Sequence, residues 1–159
     1  MATPDELAAE GRLEPFLPNL LPGEVAQRRL FLMPRAMNYI DKALPTLATD
    51  GFVPGAAAPL EQADDTLTAF IAGSDLSRLP PHSMKPESDG VWELLTPDLR
   101  FFGWFWRPGT FIVSSLCDKA RFARGELTYA AFREQTKFDR NTLPLDPPAF
   151  VTGSLAYVL

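Results

Sequence analysis

The sequence predicts an α+β fold, and three observations carry that expectation. Residues 91–117 alternate with a period of two, are rich in aromatic and β-branched side chains, and are broken by the turn pairs Pro97-Asp98 and Pro108-Gly109. Two stretches upstream repeat their apolar residues at helical spacing. The chain has 159 residues and is 46% hydrophobic, with twelve Phe, three Trp and three Tyr, enough to build one core. The expected architecture is a small antiparallel sheet packed against two helices, with a C-terminal helix. Its strands are a three-strand meander over 91–117 and an N-terminal strand near 29–33.

Residues 1–27 contain Pro4, Pro15, Pro18 and Pro22 and read as a loose arm that docks locally through Leu13, Phe16, Leu17, Leu20 and Leu21. Leu30-Phe31-Leu32-Met33 is an apolar strand ended by Pro34. Met37, Ile40, Leu44 and Leu47 then share one helical face, with Pro34 acceptable in the first turn and Pro45 ending or kinking the helix. A second helix carries Leu60, Ala63, Leu67, Phe70 and Ile71 and stops at Gly73. Pro80, Pro81 and Pro86 make an extended loop.

The meander follows. Val91 to Leu95 is its first strand and Arg100 to Trp106 its second, with Arg100, Phe102, Trp104 and Trp106 on one face. Gly103 in mid-strand predicts a bulge or a close backbone approach. Pro108-Gly109 fits the centre of a type II turn, and Phe111 to Cys117 returns as the third strand. Thr128 caps a last helix bearing Ala131, Phe132, Gln135 and Phe138. Residues 141–159 read as an irregular tail with one short edge strand, which leaves 28–140 as the folded domain.

Net charge is −5, against general nucleic-acid binding. The charge is polarised: residues 1–75 carry five basic and eleven acidic side chains, and residues 100–140 carry eight basic and four acidic. The acidic opening sequence, the lack of a membrane-length apolar run and the lone Cys117 point to a cytoplasmic protein without a membrane anchor. One His and one Cys supply no metal set, and there is no phosphate-cradling glycine loop, so neither a metal nor a cofactor is expected. Cys117 at the end of an apolar strand reads as a core residue before it reads as a nucleophile paired with His82.

Basic and aromatic chemistry remains. Metal-free RNA cleavage needs a group to take the 2′-hydroxyl proton, a cation on the scissile phosphate and a proton for the leaving oxygen. Arg forks onto phosphate, and aromatic faces stack unpaired bases. Arg100 on the face of Trp104 and Trp106 offers both contacts from one surface, although the same rings suit a core.

The stretch Leu79-Pro80-Pro81-His82-Ser83-Met84-Lys85, then Asp89-Gly90-Val91-Trp92-Glu93-Leu94, then Arg100-Phe101-Phe102 and a basic patch at Lys119, Arg121 and Arg124 resembles the RelE/HigB toxin family over roughly residues 29–135. In that family a Leu-Pro-x-x-x-x-Lys stretch precedes Gly-Leu-Trp-Glu-Leu-Arg. The resemblance implies a ribosome-dependent mRNA endonuclease of a type II toxin-antitoxin system, acting on ribosome-bound mRNA and neutralised by an antitoxin protein. It makes His82, Lys85, Arg100 and Lys119 candidate catalytic residues. Arg107, Arg121, Arg124 and Trp104 are the accompanying RNA contacts, and a homodimer is among the expected assemblies. Leu95 and Asp118 stand where such proteins carry cations. With the acidic N-terminal half, they support the alternative of a catalytically inactive relative that binds a protein partner.

Overall fold

The computed structural model describes residues 1–159, all of the chain. Its elements run α1 (Pro4–Ala9), β1 (Glu14–Pro15), β2 (Arg29–Leu32), α2 (Pro34–Lys42), α3 (Pro59–Ala72), β3 (His82–Ser83), β4 (Trp92–Leu95), β5 (Leu99–Arg107), β6 (Thr110–Asp118), α4 (Ala120–Ala123), α5 (Tyr129–Thr142) and α6 (Leu155–Val158). The class is α+β, as expected. The sheet is larger than the sequence suggested, with six strands in the order β1-β2-β6-β5-β4-β3. It is also mixed: β2 runs parallel to β6, so an all-antiparallel sheet is corrected. The intervening helices bring the chain back across the sheet, which permits a parallel neighbour. No helix is long and apolar enough to cross a membrane.

Pro34 sits in the first turn of α2, and Pro45 falls in a separate 3-10 turn at Leu44–Thr46 because the ring cannot continue the α-helical hydrogen bonding. Gly73, at φ 76°, closes α3 in the left-handed conformation that glycine adopts without a Cβ clash. The Thr128 hydroxyl accepts from the Ala131 amide and caps α5. Pro108-Gly109 makes the β5–β6 turn with Gly109 at φ 76°.

Both faces of the sheet are covered. Leu30, Leu32, Trp92, Leu94, Phe101, Phe105, Phe111 and Val113 pack against α2, α3 and the buried Val158 of α6. On the opposite face Phe31, Trp104 and Ile112 meet Leu7, Leu13, Leu143 and Leu145. Further along that face Phe102 stacks on Phe132 of α5 at 4.8 Å. Burial on both sides explains why β5 and β6 are almost continuously buried despite their alternation.

Several expectations change with this packing. The arm is ordered at its start: α1 and β1 join the fold, Leu7 and Leu13 are buried, and Leu17 is 82% exposed. Leu60 is exposed on α3 instead of facing the core. On α5 the inward side is Phe132, Thr136, Asp139 and Arg140, whereas Phe138 points out. That helix buries polar groups because the sheet offers them partners: Ser114 Oγ donates to Asp139 Oδ2 at 2.5 Å, and Arg35 donates to the same carboxylate at 2.7 Å. The tail forms α6 and a bridge between Ala2 and Leu145, and no edge strand over 150–159.

Candidate functional site

Strand register assembles the site. His82 pairs with Glu93 across β3–β4, Leu95 with Arg100 across β4–β5, and Arg100 with Cys117 across β5–β6. Alternation therefore puts His82, Glu93, Arg100, Phe102 and Cys117 on one face, the face that α5 covers. Phe122 and Tyr129 border Phe102 at 6.1 and 6.0 Å and stack on each other at 4.1 Å.

The His82 side chain is 56% exposed, and its Nδ1 lies 3.5 Å from Glu93 Oε1. That separation is ion-pair range and longer than a well-formed hydrogen bond. Glu93 is 13% exposed and its Oε2 is buried with no hydrogen-bond partner. Burial pushes the Glu93 carboxyl above its ordinary value; Arg100 and His82 act in the opposite sense. Half-buried Arg100 donates through Nη1 to the Thr96 and Leu99 carbonyls, each at 2.8 Å. It makes no ion pair, so guanidinium N–H groups remain for an incoming anion. Cys117 is buried and its thiol is pushed up to about 12, first by burial and then by Asp118. It stays protonated at neutral pH and is a poor nucleophile.

The other expected residues lie in different settings. Trp104 is fully buried between Phe31, Ile112 and α1, so it is not a stacking platform for RNA, and this corrects its assignment. A sheet covered on both sides leaves neither face of β5 open at that position. Arg107 is half-exposed and engaged within the chain. Its guanidinium lies 4.1 Å over Trp106 and donates to the carbonyls of Trp106, Asp146, Pro147 and Pro148, which fixes the tail. It occupies the end of β5 remote from Arg100. Lys85 pairs with Glu87 at 2.7 Å, and Arg121 and Arg124 both pair with Glu126, at 3.1 and 2.8 Å. Lys119 sits 4.4 Å over the exposed Phe52 ring.

Of the four catalytic candidates, His82 and Arg100 come together around Glu93, while Lys85 and Lys119 are engaged elsewhere on the surface. Glu93 was missed because an acidic residue between Trp92 and Leu94 reads as the solvent side of an alternating strand. The available signal was its register with His82, and a two-residue β3 leaves no periodicity to read. Compared with protein-family models, curated proteins and solved structures, the chain matches none.

Proposed function

We propose that this chain is a toxin-type endoribonuclease acting on ribosome-bound mRNA, neutralised by a partner antitoxin. The observation that carries the reading is the shared placement of His82, Glu93 and Arg100 on one sheet face, joined to the motif resemblance over residues 79–102. Arg100 holds the scissile phosphate through its unused N–H groups. His82 accepts the 2′-hydroxyl proton as the 2′-oxygen bonds to phosphorus. The bond from phosphorus to the 5′-oxygen breaks, and that oxygen takes a proton from water. Tyr129, 42% exposed and stacked on Phe122, replaces Trp104 as the available base platform.

The test is induced expression alongside a translation reaction with purified protein and ribosomes. Wild type is expected to arrest growth and cut mRNA, and Arg100→Ala is expected to relieve both. Unimpaired growth and intact mRNA with wild type defeat the proposal.

A second reading, a non-catalytic protein-binding module, is favoured by the pairing of Lys85, Arg121 and Arg124 with the chain's own carboxylates. Those cations are therefore not free for phosphate, the chain as a whole is acidic at −5, and Leu17 and Leu21 are exposed elsewhere on the N-terminal segment. A pull-down that returns ribosomes and RNA without a stoichiometric protein partner defeats this second reading.

A further inference from the structure

The geometry points to Glu93 as a positioning residue: it holds the His82 imidazole by Nδ1, so that Nε2 is the atom that accepts the proton. The inference rests on the ribonuclease reading and assigns a part within it. His82 is the chain's one histidine. Its Nδ1 faces Glu93 Oε1 at 3.5 Å, and more than half of the side chain is open to solvent. Two ring nitrogens with different surroundings have different duties: the nitrogen beside the carboxylate carries the hydrogen, and the outward one keeps its lone pair. A catalytic contact of this length in a substrate-free protein commonly tightens when substrate binds.

Of the two carboxylate oxygens, Oε2 is buried out of reach of a ribose hydroxyl, and Oε1 is the one turned to His82. The buried oxygen has no protein donor, a costly arrangement that a role for its neighbour Oε1 explains. Charged or titratable groups face Glu93 from each adjoining strand: His82 on β3, Arg100 on β5 and, one strand further, Cys117 on β6. Once Nε2 has taken the proton, the imidazolium is stabilised by the anionic carboxylate, as in the dyad half of a hydrolase triad.

The test uses the full chain with ¹⁵N-labelled histidine, so one imidazole is observed. Wild type at a pH where His82 is neutral is expected to show the Nδ1–H tautomer. Glu93→Leu removes the acceptor and is expected to shift the ring toward Nε2–H and lower RNA cleavage about 10²-fold, within the range of acid–base contributions. Glu93→Gln keeps an acceptor oxygen without the charge. It is expected to retain the tautomer and recover part of the rate, which a packing role alone does not predict. The inference is overturned if wild type already holds Nε2–H, or if Glu93→Leu cleaves like wild type. If wild type cleaves no RNA, the ribonuclease reading falls and the catalytic duty with it. The tautomer measurement still decides the Glu93–His82 pairing.

Discussion

A Cβ added at Gly103 would collide with the Ile112 carbonyl oxygen and lie 2.8 Å from the Phe111 ring, so the strand admits only glycine there. The same point carries the expected bulge: Phe102 pairs with Ser115 and Gly103 with Val113, leaving Ser114 without a strand partner and free to donate to Asp139. Glu93, two strands from that bulge, gives a pH dependence. Burial raises its carboxyl, so folding favours the protonated form. Its stabilising contribution is complete below the ordinary value of 4.5 and is lost as pH rises through the higher folded value. Asp98 has the opposite sign. Burial opposes its ionisation, but hydrogen bonds led by Gln62 hold it below 3.8, so its contribution exists above that value and disappears as pH falls. Urea denaturation across a pH series is expected to show wild type losing stability relative to Glu93→Gln as pH rises from about 4.5 toward neutrality. A gap that does not change with pH would contradict the assignment.

Single side chains dock whole elements. Gln62 of α3 reaches into the β4–β5 turn: its Nε2 donates to Asp98 Oδ2 at 2.7 Å, and its Oε1 accepts from the Thr96 hydroxyl at 2.7 Å and the Asp98 amide at 2.9 Å. Removing the amide leaves the buried Asp98 amide without an acceptor and takes one bond each from the Thr96 hydroxyl and the Asp98 carboxylate, which keep the Leu99 and Asp50 amides. Gln62→Ala is therefore expected to destabilise the protein by about 3 kcal/mol, read as a lower urea midpoint with an unchanged slope. A loss below about 1 kcal/mol would mean that water replaces the amide. On α5 the same principle inverts the expected face. Asp139 is bonded by Ser114, Arg35 and Gln135, and Arg140 Nη1 donates to the Asp89 carbonyl at 2.7 Å. Paired polar groups are tolerated inside, so Phe138 is left in water.

Across the molecule, segments distant in the chain close the second core. Leu7 packs with Leu13, Phe31 and Trp104, while Ala2 bridges to Leu145, so the N-terminal segment and residues 143–145 cover one sheet face and Val158 seals the other. Leu7→Ala is expected to cost about 3 kcal/mol through lost burial and a cavity. Asp5→Ala breaks the exposed Arg29 pair and is expected to leave thermal unfolding nearly unchanged. Equal effects from both would show that the terminal segment adds charge pairing rather than core. The charge distribution works at the same scale. Eight basic residues fall in 100–140, and the fold divides them among carboxylates, carbonyls and rings, with Arg100 the member that faces the candidate site without an ion pair.

The sequence alone determined the α+β class, the meander, both upstream helices and their stops. Each is written in short-range terms: a period of two or of 3.6, a proline without a donor, a glycine where φ is positive. It also offered His82 and Arg100 as candidate site residues, through the motif resemblance. Tertiary structure decided that β2 lies parallel to β6, that Trp104 is core, that Arg107 fixes the tail and that Glu93 stands beside His82. Those outcomes depend on which residues distant in the chain become neighbours. Local periodicity carries no information about whether a strand's second face meets water or another layer, because the same alternation fits both.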